Sequence, residues 1–298
     1  MVQRRSIKLA AAYTLFLLDR KARGFTPLTV RYYEQKLGAF VAWADTEDGC
    51  ALDQIDAAKI RAYLVHMQAR GLSTATVIGA ARAVRAFCNF VVAEGWLGTS
   101  PMATVPNPKA ARHILPALSA EDVHKLLTAA ADARTRAVVM ALLDTGLRAA
   151  EMAKLDGDDI DLRTGAVRVR EGKGRKDRTV YLGAKSRRSL LAYYSESGWP
   201  DAHEAVWRNA RTGARLTDSG LRQLLQNAGE AAGVAHCTPH TFRRTFALEC
   251  LRGGMNIHAL ARLMGHADIQ VLRQYLALVE ADLKAAHEAA GPVDRLLR

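Results

Sequence analysis

Cysteine is scarce in this chain of 298 residues, with four in all and no CxxC pair. Scattered thiols in this number cannot frame a disulfide-stabilised fold, so we expect a reducing compartment, the cytoplasm. Long hydrophobic runs are lacking as well, because no segment approaches the roughly 18 consecutive apolar residues that span a membrane. The apolar run at residues 9–18 is followed by charged residues and has no small-residue cleavage site, which argues against a secretory signal. Membranes are therefore not expected among the partners.

Motifs for nucleotides and metals are missing too. The Gly-Lys-Gly sequence at 172–174 lacks the upstream glycine and the following Ser or Thr of a nucleotide P-loop. The sequence contains no HExxH and shows no carboxylate cluster with metal-binding spacing. His236, Cys237 and His240 lie close together, but Pro239 disrupts the helical face and no fourth ligand is evident. We therefore expect neither a metal nor a cofactor.

Acidic residues are too few to balance the basic ones. The 30 Asp plus Glu against 42 Lys plus Arg give a net charge of +12 and a pI of about 9.8. An excess of this size favours a polyanionic partner, above all nucleic acid, although many basic proteins merely avoid aggregation in this way. Residues 1–105 hold 13 basic and 8 acidic residues, and residues 106–298 hold 29 and 22, so the two halves carry +5 and +7. This distribution suits a two-sided grip on one polyanion.

Proline is sparse except in one stretch. Four of the eight prolines, at 101, 106, 108 and 116, lie within sixteen residues. Each fixes φ and biases its predecessor away from helix, so we predict an extended linker at residues 101–117. Since a domain averages about 150 residues, the length fits one domain on each side, at residues 1–100 and 118–298.

Apolar residues in the N-terminal half recur at three- and four-residue spacing, which predicts a bundle of four helices. The second helix has the clearest beginning, because Thr26 can cap it and Pro27 suits its first position. The other three helices are predicted at about 6–23, 56–70 and 73–95. Arg82 and Arg85 lie on the last helix, where they can reach the phosphates of a duplex; a solvated helix face explains them equally well.

The C-terminal half combines helices with one β-hairpin. Ser119 and Asp122 have the spacing of a capping box, and a further helix is predicted at about 135–145, ending at Gly146. Residues 165–170 and 178–182 alternate as strands on either side of a turn at 171–176. From residue 216 the pattern is helical again, with breaks at glycines. The predicted fold class is therefore mainly α with a small β-hairpin or sheet in the C-terminal domain.

The candidates for chemistry are dispersed cations and one tyrosine. Arg148 follows the helix-ending Gly146, and His240 and Arg243 share one helical face, so that both can address one anion. Each residue has a structural explanation when taken alone, such as a surface ion pair or a helix stop. Their joint occurrence in one order favours a site. In chain order they are Arg148, Glu151, Lys173, His240, Arg243, His266 and Tyr275.

In this order the residues resemble the tyrosine recombinases, the phage integrase family, over nearly the whole chain. The motifs stand here as Thr-Gly-Leu-Arg148-x-x-Glu151, Gly-Lys173-Gly, His240-x-x-Arg243, Gly-His266 and Tyr275. The resemblance implies a helical, SAM-like core-DNA-binding domain at 1–100 and an α+β catalytic domain at 118–298. It also implies site-specific recombination, in which duplex DNA is cut and rejoined through a covalent 3′-phosphotyrosyl intermediate without a cofactor.

The resemblance further assigns roles at the scissile phosphate. Tyr275 is the nucleophile, and its phenol, with a pKa near 10, leaves more readily than an alkoxide, so the protein–DNA bond is reversible. Arg148 and Arg243 bind the nonbridging oxygens as forks and take the place of a metal. Lys173 is the general acid, with Lys176 as the competing candidate.

The remaining residues receive supporting roles from the same resemblance. His240 handles the tyrosine proton or binds the phosphate, His266 hydrogen-bonds the phosphate, and Glu151 orients its neighbours. Further contacts with DNA are expected from five basic residues, namely Arg82, Arg85, Arg175, Lys176 and Arg244.

The subtype of recombinase is inferred from positions where this sequence departs from the motifs of related enzymes. Arg244 stands where many chromosome-dimer-resolving relatives have histidine, and the residues around Tyr275 lack the threonines and histidine that such relatives often show. The chain is also expected to have no room for an extra N-terminal arm-binding domain. A mobile-element integrase is therefore favoured, with a chromosome-dimer-resolving recombinase, topoisomerase-like DNA relaxation and a non-enzymatic DNA-binding regulator as alternatives.

The resemblance also implies an assembly. The expected partner is duplex DNA with inverted-repeat core sites, bound by a homotetramer on two duplexes, with a monomer or dimer in the absence of DNA and unidentified accessory proteins. The expected location is the nucleoid in the cytoplasm.

Overall fold

The chain divides into two compact units, Met1–His113 and Ile114–Arg298, in a computed structural model. The structure describes residues 7–45, 50–108, 117–170, 177–265 and 293. These residues are mostly helical and include one two-stranded sheet, which confirms the predicted fold class.

The first unit contains the four helices that the sequence predicts. Three of them begin at a residue whose side chain caps the helix. The side-chain oxygens of Thr26, Asp56 and Ser73 each accept a hydrogen bond from the backbone N–H three positions later in the chain. A short 3-10 helix at Leu52–Gln54 was not predicted. The four helices are α1 (Leu9–Ala22), α2 (Pro27–Ala44), α3 (Ala57–Ala69) and α4 (Thr74–Ala93).

Helix α4 is the central element of the first unit. Nine of its residues are buried, and Phe87 makes an edge-to-face contact with Phe16 of α1 at 5.8 Å between ring centroids. By length and composition alone α4 is apolar enough to cross a membrane. Half of the relevant window is buried inside the unit, as in an ordinary core helix.

The first unit extends beyond residue 100. Met102 and Val105 are buried in its core, and the Arg85 guanidinium donates to the carbonyl oxygens of both. Two residues at the start of the predicted linker therefore belong to the packed unit. Residues 109–116 lie outside the described residues, and the domain boundaries stay a prediction.

The second unit contains the hairpin, seven α-helices and a short 3-10 helix at Gly157–Asp159 in its described part. The capping box of Ser119 and Asp122 is present, and α6 ends at Gly146 as predicted. The elements are α5 (Ala120–Ala129), α6 (Ala133–Thr145), α7 (Ala149–Ala153), β1 (Ala166–Val169), β2 (Arg178–Tyr181), α8 (Ala184–Ser197), α9 (Asp218–Ala232), α10 (Pro239–Arg252) and α11 (Ile257–Met264).

Strands β1 and β2 pair antiparallel, with Val169 opposite Arg178 and Ala166 opposite Tyr181. Because side chains alternate along a strand, Arg178 lies on the same face as the buried Val180. Strand β2 therefore directs Arg178, its first residue, toward the core.

A small apolar cluster between α10 and α11 packs these two helices together. It contains Phe246, Leu260 and Met264, with Leu263 packed against it. Phe246 also lies against the turn that ends α6, so α6, α10 and α11 meet at one place.

Candidate active site

The turn after α6 positions Arg148. Gly146 ends the helix with φ 58°, a left-handed conformation that favours glycine. A Cβ atom here would lie 2.2 Å from Cδ1 of Phe246, so no larger residue fits without a shift. The tight turn lets α7 begin directly after Arg148, whose backbone N–H donates to Oε2 of Glu151 at 2.9 Å.

Glu151 is held by two arginines. Its Oε1 accepts from Nη1 of Arg148 at 2.8 Å, and its two oxygens accept from Nη1 and Nη2 of Arg178 at 2.9 and 2.7 Å. The side chains of Glu151 and Arg178 are each 10% exposed, while that of Arg148 is 31% exposed. Burial by itself raises the pKa of Glu151, but hydrogen bonds from Arg178 and Arg148 outweigh it and lower this pKa to about 2. The carboxylate is therefore ionised throughout the physiological range.

Arg178 also contacts the end of α11. Its Nε donates to the carbonyl oxygen of Leu263 at 2.8 Å. Gly265 ends this helix with φ 62°, and a Cβ atom there would lie 3.1 Å from Nη1 of Arg178. Arg178 thus joins β2, Glu151 and the turn that leads to residue 266.

Arg243 joins the same two helix ends. Its Nη1 donates to the carbonyl oxygen of Gly146 at 2.7 Å and its Nη2 to that of Met264 at 2.5 Å. The residue is 5% exposed. Carbonyl groups at helix C-termini carry partial negative charge, so a buried cation is stabilised between them. We call Arg148, Glu151, Arg178 and Arg243 the arginine cluster.

His240 lies one turn before Arg243 at an exposed position of α10, which Thr238 caps. Partial desolvation, followed by the positive charges of Arg244 and Arg243, lowers the pKa of His240. This shift favours the neutral form of the imidazole at pH 7.

The predicted DNA contacts differ in exposure. Arg82 is exposed on α4. The guanidinium of Arg85, in contrast, donates hydrogen bonds to the carbonyl oxygen of Val105 at 2.8 Å and to Oδ1 of Asn107 at 3.1 Å. Arg244 is 7% exposed. The DNA contacts of all three stay predictions.

Five predicted site residues lie outside the described residues, namely Lys173, Arg175, Lys176, His266 and Tyr275. The described part brings together Arg148, Glu151 and Arg243 from segments almost 100 positions apart in the chain, and it places the end of α11 beside them.

Arg178 is the member of the cluster that the sequence analysis missed. A signal was available, because positions 178, 180 and 182 share one strand face and the other two are apolar. An arginine on an inward face is rarely buried without an anionic partner, and such a position indicates one.

The residues of the second unit do not form a convincing metal site where the structure describes them. Ligand oxygens of Asp156, Asp158 and Asp159 come within 4.8 Å of one another, so the expectation that the sequence shows no carboxylate cluster overlooked these neighbouring residues. Arg170 binds Asp159 at 2.6 Å, and Arg215 binds Asp156 at 2.5 Å, so arginines compensate these charges.

The earlier His–Cys group fits a metal no better. Cys237 is 6% exposed in the hydrophobic core, and burial raises the pKa of its thiol to about 11. Among the described residues, the ligand atoms of His236, Cys237 and His240 do not converge on one point.

Comparison with known proteins identifies both units. The model of the phage integrase family matches residues 116–281, and that of the phage integrase N-terminal SAM-like domain matches residues 12–95. The chain is 29% identical to tyrosine recombinase XerD of Listeria innocua serovar 6a, over 93% of this chain and 96% of that protein. It is 30% identical to tyrosine recombinase XerC of Azotobacter vinelandii, over 92% of this chain and 93% of that protein.

Solved structures share the fold. XerA recombinase aligns with a TM-score of 0.53 and 23% identity, covering 95% of this chain and 99% of that chain. A lambda integrase tetramer bound to a Holliday junction aligns with a TM-score of 0.77 and 18% identity, covering 91% of this chain and 78% of that chain. The chain therefore belongs to the phage integrase family and is a tyrosine recombinase, an enzyme that cleaves DNA and transfers the cleaved strand.

Proposed function

We propose that this recombinase acts on a mobile element, by integration, excision or resolution, and that Arg148 and Arg243 of the arginine cluster hold the scissile phosphate. One observation carries the assignment of the site: the buried Arg243 binds the carbonyl oxygen of Gly146, two residues before Arg148. This bond ties the segments that carry the two proposed phosphate ligands to each other.

Arg148 and Arg243 would supply the positive charge. Attack on a phosphodiester places additional negative charge on the nonbridging oxygens, and guanidinium groups stabilise it most strongly where water is partly excluded. Both arginines are partly or fully buried and are held by hydrogen bonds, so little reorganisation is needed during the reaction.

Tyr275 would be the nucleophile. Its phenolic oxygen forms a bond to the 3′ phosphorus, and the bond from phosphorus to the 5′ oxygen breaks. The departing 5′ oxygen takes a proton from Lys173, with Lys176 as the competing donor. In the second step the 5′ hydroxyl of another strand attacks the phosphotyrosine, the phenolate leaves, and the phosphodiester is restored.

His240 would accept the phenolic proton of Tyr275. A proton acceptor must be neutral, and the lowered pKa of His240 favours the neutral form. Binding of the phosphate by protonated His240 is the alternative role.

Solved relatives support a proposal for the assembly. Lambda integrase has been seen as a dimer on a core site and as a tetramer on a Holliday junction. These structures support a homotetramer of this protein on two duplexes with inverted-repeat core sites, located on DNA in the cytoplasm. The likeness to XerD and XerC supports chromosome-dimer resolution as the second candidate function.

Covalent capture tests the chemistry and the biological role together. Sheared, lightly nicked genomic DNA from the source organism is incubated with the protein, and fragments in SDS-resistant adducts are sequenced. A nick close to the cleavage site lets the short strand diffuse away, so the adduct persists. Fragments from the ends of a mobile element support the proposal, whereas one recurrent chromosomal site supports dimer resolution.

The matched variant is Tyr275→Phe, which is expected to abolish the adduct while duplex binding is unchanged. Persistent adduct would show that another residue is the nucleophile. If the wild-type protein binds duplexes but forms no adduct, the enzymatic proposal fails in favour of a DNA-binding regulator.

A further inference from the structure

Glu151 is shared unequally by its two arginines. Arg178 takes both carboxylate oxygens as a fork, while the side chain of Arg148 reaches only Oε1. Forked arginine–carboxylate pairs are stronger and more directional than single contacts. The carboxylate charge is therefore directed mainly toward Arg178.

This division matters for the net charge of the group. One carboxylate and two arginines leave one positive charge in excess, whereas Glu151 and Arg148 alone would leave none. At 10% exposure of Glu151, water screens this balance only weakly. Without Arg178, the carboxylate would pair with Arg148 alone and compete with a phosphate for its guanidinium.

Arg178 is itself fixed in place. Its Nε donates to the carbonyl oxygen of Leu263, its backbone pairs with Val169, and Gly265 lies close to its guanidinium. These contacts restrict the conformation of the side chain. A group held in this way stabilises charge without reorganising during a reaction.

We propose that Arg178 is a positioning residue for Arg148: it neutralises Glu151 and thereby leaves the positive charge of Arg148 for the scissile phosphate. This inference rests on the proposed function of Arg148 as a phosphate ligand. It assigns Arg178 no contact with DNA.

The first test uses single-turnover adduct formation on a nicked duplex recovered by the genomic capture. Arg178→Met is expected to slow this step by about tenfold or more, the change that corresponds to one charge-assisted hydrogen bond. Adding Glu151→Gln to Arg178→Met removes the uncompensated carboxylate, so the double variant is expected to be faster than Arg178→Met. If Arg178 has only a structural role, adding Glu151→Gln is expected to slow the reaction further.

The second test replaces one nonbridging oxygen of the scissile phosphate by a methyl group. This methylphosphonate is uncharged and has less need of a cation, so Arg148→Ala should lose less activity on it. Arg178→Met is expected to show the same smaller loss relative to wild type. Arg178→Lys keeps the positive charge but not the forked pair. Its rate of adduct formation on the phosphodiester should lie between the rates of Arg178→Met and the wild type.

Arg187→Met is the matched control. Arg187 donates to the carbonyl oxygens of Leu162 and Arg163, so this substitution removes arginine hydrogen bonds elsewhere in the same unit. Equal losses on both substrates for Arg178→Met and Arg178→Lys, or wild-type rates for both, would overturn the inference. A wild-type protein that forms no adduct would instead overturn the proposed function, and the inference with it.

Discussion

At the residue scale, the charge of His240 decides between its two proposed roles. The side chain is partly desolvated, and the nearby Arg244 and Arg243 repel a proton. All three influences lower its pKa below the ordinary value of about 6.5. A neutral imidazole at pH 7 accepts a proton and does not contribute a full charge to a phosphate.

The rate of adduct formation is therefore expected to fall as the pH falls through the lowered pKa of His240. His240→Gln should remove this acid limb and slow the reaction by about a hundredfold at pH 7, as is typical for loss of a general base. Single-turnover rates between pH 5 and 8 measure both effects. A rate that rises on acidification would instead identify a protonated His240 that binds the phosphate.

Stability must be followed alongside these rates. Because the pKa of His240 is lower in the folded state than in the unfolded state, protonation favours unfolding as the pH falls below about 6.5. Melting curves at each pH separate this loss of folded protein from the loss of proton transfer.

Single residues also show where sequence reasoning ends. The order Arg148, Glu151, His240 and Arg243 was readable, because each belongs to a short motif. The bonds from Arg243 to Gly146 and from Arg178 to Glu151 were not, since they join segments 97 and 27 positions apart. Such contacts depend on tertiary packing, which local spacing does not encode.

At the scale of elements, two glycine-ended helices define the site. α6 ends at Gly146 and α11 at Gly265, both with positive φ, and Arg243 binds a carbonyl oxygen at each end. The helix ends are thus part of the scaffold for the proposed phosphate ligands and do more than reverse the chain.

Gly146→Ala is expected to destabilise the protein by roughly 3 kcal/mol, because it combines left-handed strain with a clash against Phe246. It should also slow adduct formation, since the carbonyl oxygen of residue 146 is the acceptor for Arg243. Urea unfolding and single-turnover rates measure the two effects.

Gly233→Ala is the matched control. Gly233 ends α9 with φ 65° and has nothing within 4 Å of an added Cβ atom. The variant should lose only about 1 kcal/mol, from backbone strain, and keep its activity. Equal losses of stability in the two variants would show that Phe246 relaxes and that the close contact is unimportant.

The helices were predicted well where caps and apolar spacing agree. Thr26 and Asp56 cap helices close to the expected positions. α8 was missed, because its sequence is polar and only a few residues, Leu190, Tyr193 and Tyr194 among them, are buried. α7 has five residues, too few for a periodic pattern to be recognised.

At the scale of the whole molecule, the net charge of +12 is spread over two units with separate hydrophobic cores. Many of the arginines in the described part are already paired with carboxylates or carbonyl oxygens, as Arg170 and Arg85 are. Affinity for DNA therefore depends on the exposed cations, and the total charge overstates it.

Arg82 and Arg85 test this distinction, because they lie three residues apart on α4 with opposite surroundings. Arg82→Gln is expected to reduce the salt dependence of duplex binding by about one phosphate contact and to leave the melting temperature unchanged. Arg85→Gln is expected to lower the melting temperature and to leave the salt dependence unchanged, since its guanidinium holds the carbonyl oxygens of Met102 and Val105. Duplex affinity is measured between 50 and 200 mM salt, a range over which phosphate contacts change it by orders of magnitude. The slope of affinity against salt concentration is then compared for the two variants. The reverse result would mean that Arg85 leaves its carbonyl partners to bind DNA and that the end of the first unit rearranges on the duplex.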